Sequence, residues 1–138
     1  MSFQGLFSVR PTKKEDESFI LATFLRGLYY GNTWFNLIPK QIFMENYGPI
    51  ATKLIKSTKV MITVACLPDD PDVILGYSIL STDASIVHWV FVKKIWRNKG
   101  IGTALVPAEP SAVTHLTDAG KDLLERKYKT AIFNPFQL

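Results

Sequence analysis

The chain has 138 residues, 47% hydrophobic and 12% aromatic, with a formal net charge of +4. That composition supports one packed core, is too small for two, and excludes a disordered chain. The positive charge is modest and not gathered on one long face, which argues against nucleic acid as a partner. No apolar run approaches the roughly 20 residues that span a bilayer, so no membrane partner is expected. Met1-Ser2-Phe3-Gln4-Gly5 lacks the basic and apolar regions of a secretory signal. The lone Cys66 has no internal disulfide partner and reads as a small core residue, which suits a reducing, cytoplasmic setting.

In chain order, residues 7–11 form a short strand stopped by Pro11, and Thr12 is the predicted N-cap before Lys13-Lys14-Glu15-Asp16-Glu17. A helix follows through Tyr30, with Phe19, Ile20, Thr23, Phe24, Gly27 and Leu28 on one face, and Gly31 stops it. Gly31-Asn32-Thr33 leads to Trp34 and Phe35 in a loop. A second helix begins near Pro39 or Lys40; Gly48-Pro49 is expected to break it, with a resumption over 50–57. Two strands, 59–67 and 73–81, flank Pro68-Asp69-Asp70-Pro71-Asp72, a stretch predicted to lie outside helix and sheet interior.

Thr82-Asp83-Ala84-Ser85 is a turn into the stretch 86–106, IVHWVFVKKIWRNKGIGTALV, the most informative part of the chain. Residues 86–92 are apolar and β-branched with one histidine inside, a buried strand. Lys93, Lys94, Arg97 and Lys99 then place four positive charges in seven residues, and Gly100 and Gly102 open a helix. Glycines there let unpaired backbone N–H groups approach a ligand, and with flanking cations they make a phosphate or pyrophosphate site. Pro107 and Pro110 confine that helix to about two turns. A strand at 112–116, a helix capped by Thr117 or Asp118 and running to about Tyr128, and a strand at 130–133 complete one domain over 1–138.

Arg97-Asn98-Lys99-Gly100-Ile101-Gly102 fits [Q/R]-x-x-G-x-[G/A], five residues after Val92, and so resembles the acetyl-coenzyme A signature of the GNAT acetyltransferase superfamily. The order β-α-α-β-β-β-α-β-α-β, Val9-Arg10-Pro11 followed by acids, and Leu75-Gly76-Tyr77 resemble that family too. The resemblance covers nearly the whole chain and implies an α/β fold with a mixed, mostly antiparallel sheet of about six strands flanked by helices. It weakens after Val106. The glycine-motif helix is short, Thr117 stands near the family's asparagine, and Leu124 near its aromatic residue.

The resemblance further implies that the glycine-motif strand splays from its neighbour and binds the pantetheine arm along Trp89, Val90, Phe91 and Val92. A main-chain N–H near Val90 or Phe91 would polarise the thioester carbonyl. The amides of Asn98, Lys99, Gly100, Ile101, Gly102 and Thr103 would hold the pyrophosphate, and Lys93, Lys94 or Lys99 would reach the other phosphates. The expected cofactor is acetyl-CoA, with no metal.

His88 is the candidate base, since a neutral imidazole accepts a proton near neutrality; the alternative is a hydrogen-bonded core histidine. No carboxylate occupies that strand, so a Glu-dependent route would need a group such as Asp83. Tyr128 is the candidate acid, with packing at a helix end as its alternative, and His115 reads as structural. Tyr29, Tyr30, Trp34 and Phe35 mark the acceptor pocket and favour an amine carried on an apolar or extended substrate. The leading expectation is an N-acetyltransferase acting on a small-molecule or peptide amine, with a homodimer allowed. The alternative is a GNAT-fold module that binds coenzyme A or serves an interaction role with little or no turnover.

Overall fold

The β-branched, apolar stretches pair into a six-stranded sheet in the order β1-β2-β3-β4-β5-β6. The computed structural model describes residues 5–138, the side chains of Asp122 and Leu123 excepted. The strands are β1 (Ser8–Pro11), β2 (Val60–Leu67), β3 (Asp70–Ser81), β4 (Ile86–Val92), β5 (Ala112–Val113) and β6 (Ile132–Phe133). The helices are α1 (Glu17–Tyr30), α2 (Lys40–Ile55), α3 (Ile101–Leu105) and α4 (Asp118–Arg126). Strands β1 to β4 pair antiparallel, whereas β4–β5 and β5–β6 pair parallel.

Both faces of the sheet are covered, which is why β3 is buried continuously over residues 74–80. On one face Ile20, Phe24 and Leu28 of α1 and Phe43, Ala51 and Leu54 of α2 pack on Ile62, Val64, Tyr77, Ile79 and Trp89. On the other, Ile101 and Leu105 of α3 meet Ala65 and Leu75, and Val106 joins Leu80, Val87 and Val113. Gly76 permits the tight β3–β4 pairing beside Val92: a Cβ there would stand 2.5 Å from the Phe91 carbonyl oxygen.

Several local expectations give way to tertiary structure. The helix α2 runs unbroken through Pro49. The ring is exposed, so the Glu45 carbonyl that loses its N–H partner lies on the wet side, while Phe43, Ala51 and Leu54 hold the helix on the core. Pro71 and its acidic neighbours join β3, beginning at the Leu67–Asp70 pair. The missing N–H costs nothing there, because β4 pairs with β3 only from Gly76 onward.

The later elements are shorter than predicted. The helix α3 has five residues, β5 has two instead of 112–116, β6 has two instead of 130–133, and α4 ends at Arg126, short of Tyr128. Without long strands to pair on, these segments are positioned by loop hydrogen bonds instead. The Thr117 hydroxyl does accept the Gly120 N–H at 2.9 Å, as a cap should.

Thr12 is not the first cap. Its hydroxyl is buried without a hydrogen bond among the described residues, and Asp16 accepts the Lys13 N–H at 2.9 Å instead. The Asp16 carboxylate also accepts from both terminal guanidinium nitrogens of Arg10, at 2.7 and 3.0 Å, and Arg10 reaches on to the Pro71 carbonyl. Strand β1, the entry to α1 and the β2–β3 hairpin are therefore tied at one point. Asp16 is 4% exposed, and the Arg10 hydrogen bonds hold its carboxyl below the usual carboxylate range.

Asp16→Asn should cost about 2–3 kcal/mol, because Arg10 keeps its charge and loses its counterion. A carboxyl whose folded pKa is lowered adds stability above its unfolded value, near 3.9, and loses it as pH falls through the folded value. Urea melts between pH 7 and pH 3 should show a smaller acid loss in the variant; an unchanged loss would mean that other carboxylates set it.

Candidate active site

The site begins with a defect in the β3–β4 ladder. Ile79 pairs with Trp89, but Leu80 pairs with Val87, leaving His88 as an extra residue, a β-bulge. The bulge turns His88 out of the simple alternation expected of a strand. On its other edge β4 pairs with β5 only at Ile86–Ala112 and Val87–Val113, with one further bond from the Thr114 N–H to the Val87 carbonyl. Beyond that point the two strands part, and among the described residues Trp89 to Val92 have no strand on the β5 side. This is the splay that the sequence resemblance implied.

At the end of β4 the chain turns through Asn98 and Gly100, both left-handed with φ of 63° and 84°. A Cβ on Gly100 or Gly102 would meet nothing within 4 Å, so the space in front of this backbone is open to a ligand. The first helical bond of α3 runs from the Ala104 N–H to the Gly100 carbonyl, and the closing one from the Val106 N–H to the Gly102 carbonyl. The N–H groups of Ile101, Gly102 and Thr103 thus have no acceptor within the helix. With only five residues, α3 adds little dipole, and the free N–H groups and cations carry the attraction for an anion. Arg97 donates through Nε to the Val92 carbonyl at 3.2 Å, which fastens the loop to the strand end. Lys93 sits over the Phe19 ring, and Lys94 and Lys99 make no ion pair among the described residues. Backbone, open space and charge fit the pyrophosphate of coenzyme A.

Where β4 and β5 separate, Thr114 bridges two histidines. Its Oγ1 lies 2.8 Å from Nδ1 of His88 and 2.9 Å from Nδ1 of His115. His88 and Thr114 are each 3% exposed. Burial lowers the pKa of His88, and burial, then repulsion from His88, pushes His115 down to about 4, a backbone hydrogen bond to His88 partly opposing this. Both rings are consequently neutral at pH 7. His115 packs edge-on against Phe24 and Tyr47.

His115 and Thr114 line a cleft of about 260 Å³ walled by Leu28, Trp34, Phe35, Tyr47, Leu116 and Phe133. Asn32 anchors its rim, donating from Nδ2 to the Leu116 carbonyl and accepting the Trp34 N–H. The tail is held by the Asn134 N–H on the Val113 carbonyl, which delivers Phe133. Burial keeps the Tyr47 phenol protonated by raising its pKa.

The predicted site residues divide. Trp34 and Phe35 reach the cleft; Trp34 is 80% exposed. Tyr29 does not: it is core, and its hydroxyl donates to the Ile38 carbonyl. Tyr30 is exposed beside Lys40 and lies outside the cleft lining. Asp83 is held at about 2 by hydrogen bonds from Ser85 and Ser81 and serves the turn rather than the site. Tyr128 lines a separate shallow groove with Thr103, Val106 and Lys127. His115, expected to be structural, faces the cleft, and Tyr47 joins it from the middle of α2. The helical periodicity gave no sign of Tyr47, and His115 was obscured by an expected strand that the chain does not form.

No family model matches the sequence, and no curated protein matches it. Solved structures do resemble the fold. A Pyrococcus furiosus protein provisionally assigned as an acetyl transferase aligns over 88% of this chain and 92% of its own, with TM-score 0.64 and 18% identity. A protein of Clostridium difficile 630 described as a possible acetyltransferase aligns over 93% and 77%, with TM-score 0.50 and 13% identity. Apo-form YjaB from Escherichia coli aligns over 73% of this chain and 62% of its own, with TM-score 0.50 and 18% identity. These likenesses show the fold: the chain has a GNAT-like fold, with a six-stranded mixed sheet covered by helices on both faces.

Proposed function

We propose that this protein moves an acetyl group from acetyl-CoA to an amine by direct attack. The observation that carries this reading is the open glycine turn at the splay of β4 from β5, beside a histidine-lined apolar cleft. Acetyl-CoA supplies the activated thioester. The N–H groups of Ile101, Gly102 and Thr103, with Asn98 and Gly100 shaping the turn, would hold its pyrophosphate. Arg97, Lys93, Lys94 and Lys99 would neutralise its phosphates. The unpaired edge of Val90, Phe91 and Val92 would carry the pantetheine arm and present an N–H to the carbonyl. His88, buried behind the cleft lining, is the base on which the amine's proton comes to rest, and Tyr128, in the groove beside Thr103, is the candidate donor to the departing thiolate.

The acceptor cleft has aromatic and aliphatic walls, and no carboxylate lines it among the described residues. An amine with an apolar body suits it, and a polycation would find no counterion there. With acetyl-CoA, 2-phenylethylamine should be acetylated with kcat/KM at least about 10-fold above spermidine. Equal or reversed preference would remove the apolar acceptor from this reading.

A second reading, a module that keeps the groove without turnover, is favoured by the five-residue α3. Acetyl-CoA binding without transfer to any amine of a broad panel would select it.

Gly100→Glu or Gly102→Glu should abolish acetyl-CoA binding in calorimetry while the protein stays folded, since a carboxylate would fill and repel at the pyrophosphate position. Unchanged affinity in either variant would detach the motif from the cofactor.

His88→Ala should lower turnover about 10²-fold or more with little change in acetyl-CoA affinity. The native rate should rise with pH as His88 loses its proton, and burial puts that limb below the ordinary histidine value near 6.5. His88→Gln, closer in size and polarity, controls for packing; a variant that keeps both rate and limb would make His88 a core residue.

A further inference from the structure

Between β4 and β5 the three side chains His88, Thr114 and His115 make one continuous line, with both imidazoles meeting the same hydroxyl oxygen through Nδ1 at 2.8 and 2.9 Å. A threonine hydroxyl has a single proton. It can donate to one ring and must accept an N–H from the other. The two rings are thereby forced into opposite tautomers. When His115 carries its proton on Nδ1, its Nε2 is a bare acceptor, and His88 takes the Thr114 proton at Nδ1 while keeping its own on Nε2. Only His115 of the two histidines lines the cleft; His88 lies behind it at the bulge, 3% exposed.

We propose that His115 takes the proton given up by the acceptor nitrogen and that Thr114 passes the charge on to His88, so that the three side chains act as one proton relay. This rests on the acyl-transfer reading. The acceptor N–H bond breaks, leaving its electron pair on nitrogen, and an N–H bond forms at His115 Nε2. The His115 Nδ1 proton moves to Thr114 Oγ1, and the Thr114 proton moves to His88 Nδ1. His115 ends neutral in the other tautomer, and the positive charge rests on His88. After product leaves, the reverse sequence returns the proton to water in the cleft.

The surroundings support this direction. The other titratable group packed on His115 is Tyr47 of α2, which burial keeps neutral; Phe24 from α1 and Phe133 from the tail carry no charge. Charge is therefore poorly tolerated at His115 against these aromatic walls, and the relay carries it out of the cleft lining to His88. Thr114 is a positioning residue in this scheme, because it touches the histidines and acts on the acceptor through His115.

Nitrogen-15 NMR of the imidazoles in the whole protein reads the tautomers without any substrate. One ring should be Nδ1–H and the other Nε2–H in the native protein, and both should become Nε2–H in Thr114→Val. Like tautomers in the native protein, or no change in the variant, would overturn the relay. With acetyl-CoA and 2-phenylethylamine, Thr114→Val should lower kcat at least about 10-fold with KM for acetyl-CoA unchanged, and Thr114→Ser should restore it. Full turnover in Thr114→Val would also overturn it, and Thr114→Ser keeps the comparison open should the valine variant fold poorly. Opposite tautomers in a native protein that acetylates no amine would overturn the acyl-transfer reading and the relay's role with it. Like tautomers in an active enzyme would overturn the relay alone.

Discussion

Everything at the candidate site depends on how far β4 can stay paired with β5. The parallel ladder lasts two residue pairs and ends with one bond from Thr114 to Val87. A third pair would close the gap in which Thr114 meets the histidines and would occupy the β4 edge proposed to carry the cofactor arm. An unpaired strand edge is ordinarily a liability, because its N–H and C=O groups invite other chains. Here Val90, Phe91 and Val92 are half-buried, with Val90 and Val92 packed toward Ile101 and Leu105 of α3.

The bulge at His88 and the close approach at Gly76 make that edge possible. A bulge increases local twist and bends the strand that carries it. Trp89 remains against α1, next to Phe24, while Val90 packs toward α3. The strand thus stays anchored on both faces as it leaves its neighbour, and the backbone contact at Gly76 keeps its far end on β3. Anchoring on both faces turns a gap in the sheet into a rigid feature.

At the separation, His88, Thr114 and His115 would each be costly to bury alone, and the Thr114 hydroxyl gives each ring a hydrogen-bond partner at Nδ1. The same economy appears at the other end of the sheet, where Arg10, Asp16 and Pro71 join three segments through one carboxylate and one guanidinium.

The order of strands and helices along the chain, the glycine turn and the helix α1 are legible in the sequence, because each is written in local patterns: β-branched runs, paired glycines with flanking cations, and apolar residues three and four apart. The fold class followed from the family resemblance that the glycine motif and the element order carry. It could not reveal that Pro49 would be carried inside α2, since that outcome depends on which side of the helix faces water. Nor could it show that β5 would stop at Val113 and release His115 into a cleft. A bulge has no residue signature of its own: His88 becomes the extra residue only because Leu80 pairs with Val87 and Ile79 with Trp89. Pairing across strands distant in sequence decided which histidine meets the apolar cleft, and such pairing exists only in the folded chain.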